Sequence, residues 1–235
     1  MSGRDRSGDR PKSAAELMGE LQRDPGFLAR QKEKDDERRR SFEANRAAAK
    51  DLLAELADAG FEVAAVGDLR RLGKPYPKAV PTLVRWLPRV QYVALKEDII
   101  RTLSVPWARE ARQALLAEFE RADDGASGAL RWAIGNALEV LAADEIAEDM
   151  IKLAINPRYG KAREMIVLGL GKLKQPRVVD VLTDLLHDEE VVGHAVMALG
   201  RLRAHSARPR IEPLLRHPKP WVRREAKKAL ARMKE

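Results

Sequence analysis

The stretch VVGHAVMALGRL at residues 191–202 has a counterpart one repeat later, VRREAKKALARM at residues 222–233. In both stretches apolar or small residues occupy the first, fifth, ninth and last positions. This spacing places the four side chains on one face of an α-helix. Each stretch therefore predicts an amphipathic helix whose apolar face packs against a core.

The same pattern occurs six times between residues 61 and 233. Its last positions are Leu72, Leu103, Leu141, Leu173, Leu202 and Met233. Three residues earlier the copies carry Leu69, Ile100, Leu138, Leu170, Leu199 and Leu230. Seven residues before the end, Lys96 is the one charged residue in a column of alanine and isoleucine. A period of about 31 residues indicates a repeated unit, and stacked units cover one another's apolar faces.

A second apolar run lies between successive copies, as in residues 178–186. Helix-breaking segments separate the runs at residues 74–77, 123–125, 156–157, 175–176 and 217–220. Proline and glycine at these points interrupt a helix. Each unit is therefore predicted to be a helical hairpin, and the chain to contain about five of them.

The segment PLLRHPKPWVRREAKKAL at residues 213–230 resembles the HEAT-repeat signature in its short bacterial form, and residues 185–202 resemble it as well. The resemblance extends over residues 61–235 and is strongest in the last two units. It implies an all-α fold, an α-α superhelix or solenoid of the HEAT/armadillo type. It also implies a concave surface lined by the second helix of each hairpin, but it does not imply one activity.

Composition narrows the class of protein further. The 235 residues include no cysteine, which excludes disulfides and a thiol nucleophile. No apolar run is long enough for a membrane span, and residues 1–12 lack the apolar core of a secretory signal. We therefore expect a cytoplasmic protein with no membrane partner.

The net charge of +8 is distributed unevenly. Residues 105–155 contain 5 Lys or Arg and 10 Asp or Glu, whereas residues 201–235 contain 12 and 3. A basic C-terminal end attracts anionic partners such as nucleic acid or acidic protein segments. The alternative is that these cations only provide a soluble outer face for the last repeat.

Cations also recur immediately before the last position of the pattern, at Arg71, Lys172, Arg201 and Arg232. Helical spacing places Met165, His194, Met197 and Lys228 on the same side. Six residues of this side form what we call the ridge: Lys172, His194, Met197, Arg201, Lys228 and Arg232. The ridge is the candidate partner-binding site, suited to an acidic or amphipathic peptide helix. The alternative interpretation is a solvated helix face.

Arginine recurs ten residues before the end of the pattern, at Arg131, Arg163 and Arg223. The HEAT resemblance implies that such an arginine ties one repeat to the next through an aspartate, for which Asp124 and Asp188 are candidates. An arginine ladder would also bind phosphate groups.

The N-terminal region differs from the repeats. Residues 1–12 are predicted to be a disordered tail, residues 13–60 a helical arm, and residues 61–235 the solenoid. Ser13 begins a capping-box sequence, and Asp24-Pro25 is typical of the start of a second, longer helix. The twelve residues 30–41 include no apolar side chain, so they are either an exposed helix or disordered. Docking of the arm on a second copy would give a homodimer.

The sequence contains few candidates for catalysis or metal binding. None of the four histidines has the spacing of a zinc site. We therefore predict that all four lie in solvent-exposed turns. The segment GLGK at residues 169–172 lies inside a helical copy, where its glycines indicate close helix packing rather than a phosphate loop. We expect no catalytic residues, no metal and no cofactor.

The main enzyme alternative is a HEAT-like alkylpurine DNA glycosylase, with Trp86, Trp107, Trp132 or Trp221 for base stacking and Glu139 as the carboxylate. A scarcity of aromatic residues, 5% of the chain, argues against it. The sequence therefore favours a non-enzymatic protein-binding scaffold. The second hypothesis is nucleic-acid binding through the basic C-terminal end, with or without base excision.

Overall fold

The computed structural model describes residues 13–122 and 128–233, and within these ranges every regular element is a helix. The α-helices are α1 (Ala14–Leu21), α2 (Pro25–Ala48), α3 (Lys50–Asp58), α4 (Val80–Trp86), α5 (Val93–Leu103), α6 (Arg112–Arg121), α7 (Ala129–Leu141), α8 (Ala147–Ile155), α9 (Glu164–Leu170), α10 (Arg177–Asp184), α11 (Val192–Leu202), α12 (Arg208–Ile211) and α13 (Pro220–Arg232). Short 3₁₀ segments, among them Val66–Arg71, join many of them. The predicted tail, residues 1–12, lies outside the described residues.

The chain divides into two units, Met1–Ala47 and Ala48–Glu235. In the first unit, the Asp24 carboxylate accepts hydrogen bonds from the backbone N–H of Gly26 at 2.7 Å and of Phe27 at 3.3 Å. This confirms the predicted cap of the longer helix. The charged segment is helical, and α2 contains no buried residue. The domain boundary expected near residue 60 stays a prediction.

The second unit is built from stacked helical hairpins. Helices α5, α7, α9, α11 and α13 pack one against the next in chain order. Between them, α6, α8 and α10 each pack against the helix that follows in the chain. The predicted all-α solenoid is therefore confirmed.

The core follows the repeated pattern. The column three residues before the end is buried in every copy: Leu69, Ile100, Leu138, Leu170, Leu199 and Leu230. Burial of one such side chain contributes about 1.5 to 3 kcal/mol. The column therefore forms a continuous apolar seam through the second unit.

Glycines bring successive helices of the seam close together. A Cβ added at Gly171 would lie 2.7 Å from the Ala198 Cα, and one added at Gly200 would lie 2.8 Å from the Ala229 Cβ. Both distances are shorter than a van der Waals contact, so only glycine fits. The packing interpretation of the GLGK segment is correct.

The first copy of the pattern is not an α-helix, and this part of the prediction is wrong. Val66–Arg71 is a 3₁₀ segment, preceded by extended backbone at Ala65, and Leu72 is 38% exposed. The reason is a side chain from the next copy. The Asp98 carboxylate accepts a hydrogen bond from the Gly67 N–H at 2.8 Å and pairs with Arg70 at 2.8 Å.

Lys96 enters the core together with a partner. Its ammonium group forms an ion pair with the carboxylate of Glu118 on α6, and the two side chains are 13% and 4% exposed. Arg121 contacts the same carboxylate at 3.3 Å. A charge in the apolar column is tolerated because its counter-charge is buried beside it.

The arginine column binds helix ends. Arg163 is 1% exposed, donates to the Ala154 carbonyl at 3.1 Å and pairs with Asp188 of the next repeat at 2.8 Å. Arg223 instead donates to the carbonyl of His217 at 2.8 Å. Arg131 donates to the Phe119 carbonyl at 3.0 Å, and its proposed partner Asp124 lies outside the described residues.

Candidate functional site

The ridge residues lie on three neighbouring elements. Lys172 follows the end of α9, whereas His194, Met197 and Arg201 belong to α11, and Lys228 and Arg232 to α13. Because α9, α11 and α13 pack in sequence, the repeated pattern brings these positions to the same side of the stack.

A cavity of about 280 Å³ opens between α11 and α13. It is lined by Leu168, Met197, Gly200, Arg201, Glu225, Lys228, Ala229 and Arg232. Four of the six ridge residues line it; Lys172 and His194 do not. We call it the α11–α13 cavity. Its lining combines small or apolar side chains with three cations and one carboxylate.

The charges of the cavity are only partly paired. The Lys228 ammonium group lies 2.9 Å from the Glu225 carboxylate, whose side chain is 14% exposed. Burial acts to raise the pKa of Glu225, but hydrogen bonds from Lys228 and Arg224 hold that pKa below its usual value. Arg232 makes no ion pair with any residue in the described ranges.

Glu139 of α7 joins the ridge from two repeats away. Its carboxylate lies 3.0 Å from the Lys172 ammonium group and 3.1 Å from the Arg201 guanidinium group. Lys172 also donates to the backbone carbonyl of Glu139 at 2.6 Å. Arg201 thus reaches past α9 to a carboxylate on α7.

His194 is packed rather than solvated. Its ring lies 5.5 Å from the ring of Trp221, and the Nδ1 atom is buried without a hydrogen-bond partner. Burial lowers the pKa of His194 below its ordinary value, while the charge of Glu164 opposes this change. The imidazole is therefore an uncharged neighbour of the cationic residues at neutral pH.

The expectation of four solvated turn histidines is thus wrong for two of them. His194 lies within α11, and His217 is 7% exposed with its Nδ1 accepting from the Lys219 N–H at 3.2 Å. His187 and His205 are exposed. Within the described ranges, no group of His, Asp or Glu side chains is arranged to hold a metal ion.

Two of the tryptophans suggested for base stacking in a DNA glycosylase pack against other aromatic rings of the protein. Trp107 meets the ring of Tyr76 edge-on at 5.6 Å, and Trp221 contacts His194. Trp132 is 47% exposed on α7. The carboxylate suggested for that chemistry, Glu139, is engaged by two cations.

Sequence reasoning considered Glu139 only as a catalytic carboxylate and missed its contact with the ridge. A signal was present in the pattern. Two residues before the end, Glu139 is the one acidic residue of the column, which otherwise contains Arg70, Arg101, Gly171, Gly200 and Ala231. The next two copies place Lys172 and Arg201 beside that column.

No helix in the described ranges has the length and apolar character needed to cross a bilayer. Residues 187–235 match the family model for HEAT repeats. No curated protein matches the chain.

Solved structures similar to the chain include repeat proteins. One is a designed armadillo repeat protein in complex with the peptide (KR)4, with 17% identity, a TM-score of 0.46, and coverage of 72% of this chain and 85% of that one. Another designed armadillo repeat protein has 17% identity, a TM-score of 0.47, and coverage of 82% and 92%. An engineered protein has 18% identity, a TM-score of 0.48, and coverage of 81% and 96%.

Proposed function

We propose that this chain, whose residues 187–235 match the family model for HEAT repeats, is a non-enzymatic scaffold that binds an acidic or amphipathic segment of a protein partner. The binding surface is the ridge, centred on the α11–α13 cavity. The observation that carries the proposal is the cavity lining, where Arg232 has no counter-charge among the described residues.

The chemistry of the cavity favours an anionic ligand with an apolar part. Arg201, Lys228 and Arg232 outnumber the single carboxylate of Glu225 in the lining. Leu168 and Met197 supply apolar surface beside these cations. Methionine adapts to ligands of varied shape, and clustered arginines bind carboxylates in defined geometry. An amphipathic acidic helix offers both kinds of contact.

The test uses a fluorescent helical peptide with glutamate and leucine at helical spacing. Its matched control has glutamine in place of glutamate. The protein should bind the acidic peptide, and the double variant Arg201→Glu, Arg232→Glu should weaken binding by about tenfold or more, measured by fluorescence anisotropy.

A control variant separates the cavity from net charge. Arg216 and Lys227 are exposed and do not line the α11–α13 cavity, so Arg216→Glu, Lys227→Glu makes the same change in charge elsewhere. This variant should keep most of its affinity. Equal losses in the two double variants, or equal binding of the two peptides, would contradict the assignment of the cavity.

Nucleic-acid binding is the second candidate, favoured by the exposed cations of α13, which include Arg223, Arg224 and Lys227. Phosphate contacts act additively and weaken steeply with salt. If duplex or single-stranded DNA is the ligand, both double variants should lose affinity alike. A salt series with each DNA form, run beside the peptide, therefore distinguishes the two functions.

A further inference from the structure

In the free protein, Glu139 forms ion pairs with two cations of the ridge. Its side chain is 13% exposed, and its carboxylate contacts the charged groups of Lys172 and Arg201 at 3.0 and 3.1 Å. These contacts join three successive repeats. They place an internal carboxylate at the ridge, where the proposed function would place a carboxylate of the partner.

Arg201 is shared between Glu139 and the α11–α13 cavity. Its guanidinium group pairs with Glu139 through Nη1, and the same side chain lines the cavity. A guanidinium group has five donor hydrogens in a planar fork. Its attraction for a further anion falls when one carboxylate already neutralises its charge, so Glu139 and an anionic ligand compete electrostatically.

We propose that Glu139 is an internal competitor that lowers the affinity of the ridge for acidic ligands until a partner carboxylate replaces it on Arg201. This inference rests on the proposed function and adds a form of regulation to it. A partner with carboxylates at the correct spacing recovers the lost ion pair by exchange. A partner with one isolated carboxylate only breaks even on Arg201, whereas further carboxylates also reach Lys228 and Arg232, so Glu139 favours multiply charged acidic segments.

The test is the substitution Glu139→Gln, which preserves size and removes the charge. The variant should bind the acidic fluorescent peptide about two- to fivefold more tightly than wild type, as expected for relief of one partly exposed ion pair. The gain should shrink as salt rises, because screening weakens the competing charge. Binding of the glutamine control peptide should not change.

Two controls identify the cause. Glu148→Gln removes a carboxylate that also joins neighbouring repeats, pairing with Arg177 at 2.6 Å, but it lies on α8 and should leave peptide affinity unchanged. In an Arg201→Gln background, Glu139→Gln should give a smaller gain, because one of the two cations it would release is absent. Thermal unfolding of each variant reports on any change of the scaffold itself.

A second variant guards against a structural effect of the amide. Glu139→Asp keeps the charge but shortens the side chain, which withdraws the carboxylate from Arg201, and it should also strengthen binding, though less. The competitor role would be overturned if both variants had wild-type unfolding temperatures but bound the peptide no more tightly than wild type. The proposed function would survive that result as long as binding still depended on Arg201 and Arg232. Failure of wild type to bind the acidic peptide overturns the proposed function as well.

Discussion

The two ends of the repeat array hold their neighbours in different ways. Toward the C-terminus, α11 and α13 approach so closely that Gly200 faces the Cα of Ala229, with no room for a side chain. Toward the N-terminus, the 3₁₀ segment Val66–Arg71 and α5 are joined by side chains. Arg70 donates to the carboxylate of Asp98 at 2.8 Å and to the hydroxyl of Thr102 at 2.6 Å.

The difference shows that one repeat pattern permits two kinds of interface. Close glycine–alanine packing depends on shape and dispersion, which salt does not screen. The Arg70–Asp98 contact is 36% and 17% exposed, so water and salt weaken it. Toward the C-terminus, close backbone packing is therefore added to the ion pairs that still join repeats, such as Arg163–Asp188.

The largest test concerns the buried ion pair of the irregular end. Lys96→Met should lower the free energy of unfolding by about 3 kcal/mol, because it leaves the carboxylate of Glu118 buried without its closest counter-charge. Arg121, 3.3 Å from the same carboxylate, limits the loss. Urea denaturation followed by circular dichroism measures the change.

The matching double variant makes this prediction sharper. Lys96→Met with Glu118→Leu removes both charges and gives the second copy the apolar column found in the others. Its stability should return to the wild-type value or exceed it, as for other buried pairs replaced by apolar residues. If the single variant Lys96→Met were as stable as wild type, the Lys96–Glu118 ion pair would make no measurable contribution to the stability of the N-terminal end.

The second test compares a glycine from each end. Gly171→Ala places a Cβ 2.7 Å from the backbone Cα of Ala198, which cannot move independently, so overpacking should cost about 1 to 3 kcal/mol. Gly67→Ala meets the Arg70 guanidinium at 2.7 Å and the Asp98 carboxylate at 2.8 Å. These flexible ends can shift, so we expect a loss of about 1 kcal/mol or less.

Gly19→Ala is the reference for both changes. No atom lies within 4 Å of the added Cβ at this helical position, and alanine has the higher helix propensity. The variant should not lower the unfolding midpoint measured by urea denaturation. Equal losses for Gly171→Ala and Gly67→Ala would remove the distinction between backbone packing and side-chain ties.

The sequence predicts what depends on local periodicity. Leu138, Leu170 and Leu199 are buried because a spacing of three and four residues determines which face of a helix meets the core. A small residue inside an apolar helical stretch also indicates a close neighbour, and Gly171 lies against the backbone of Ala198.

The remaining features depend on residues far apart in the chain. Asp98 changes the backbone of the first copy through Gly67, and Lys96 finds Glu118 on the following helix. Glu139 and Arg201 meet although they belong to α7 and α11, two repeats apart. Periodicity places charged residues such as Glu139 and Arg201 on one side of the stack, but the repeat register does not fix which charged side chains of different units reach each other.

The smallest expected effect concerns the stability lost when the buried imidazole of His194, near the C-terminal end, becomes protonated. Because burial lowers the pKa of His194, the unfolded chain binds more protons than the folded one as pH falls through the ordinary histidine value of about 6.5. The stability that the uncharged imidazole contributes is complete above this value and declines below it. His194→Gln cannot titrate, so its unfolding free energy should fall less between about pH 7.5 and about pH 5.5.

Urea denaturation of both proteins at the two pH values measures the difference. His205→Gln is the matched control, since His205 is exposed at the start of the 3₁₀ segment His205–Ala207, and it should keep the wild-type pH dependence. The contact with Trp221, which fills the space above Gly193, explains why the imidazole is kept from water. Identical slopes for wild type and His194→Gln would show that this end accommodates a buried charge as readily as the Lys96–Glu118 end does.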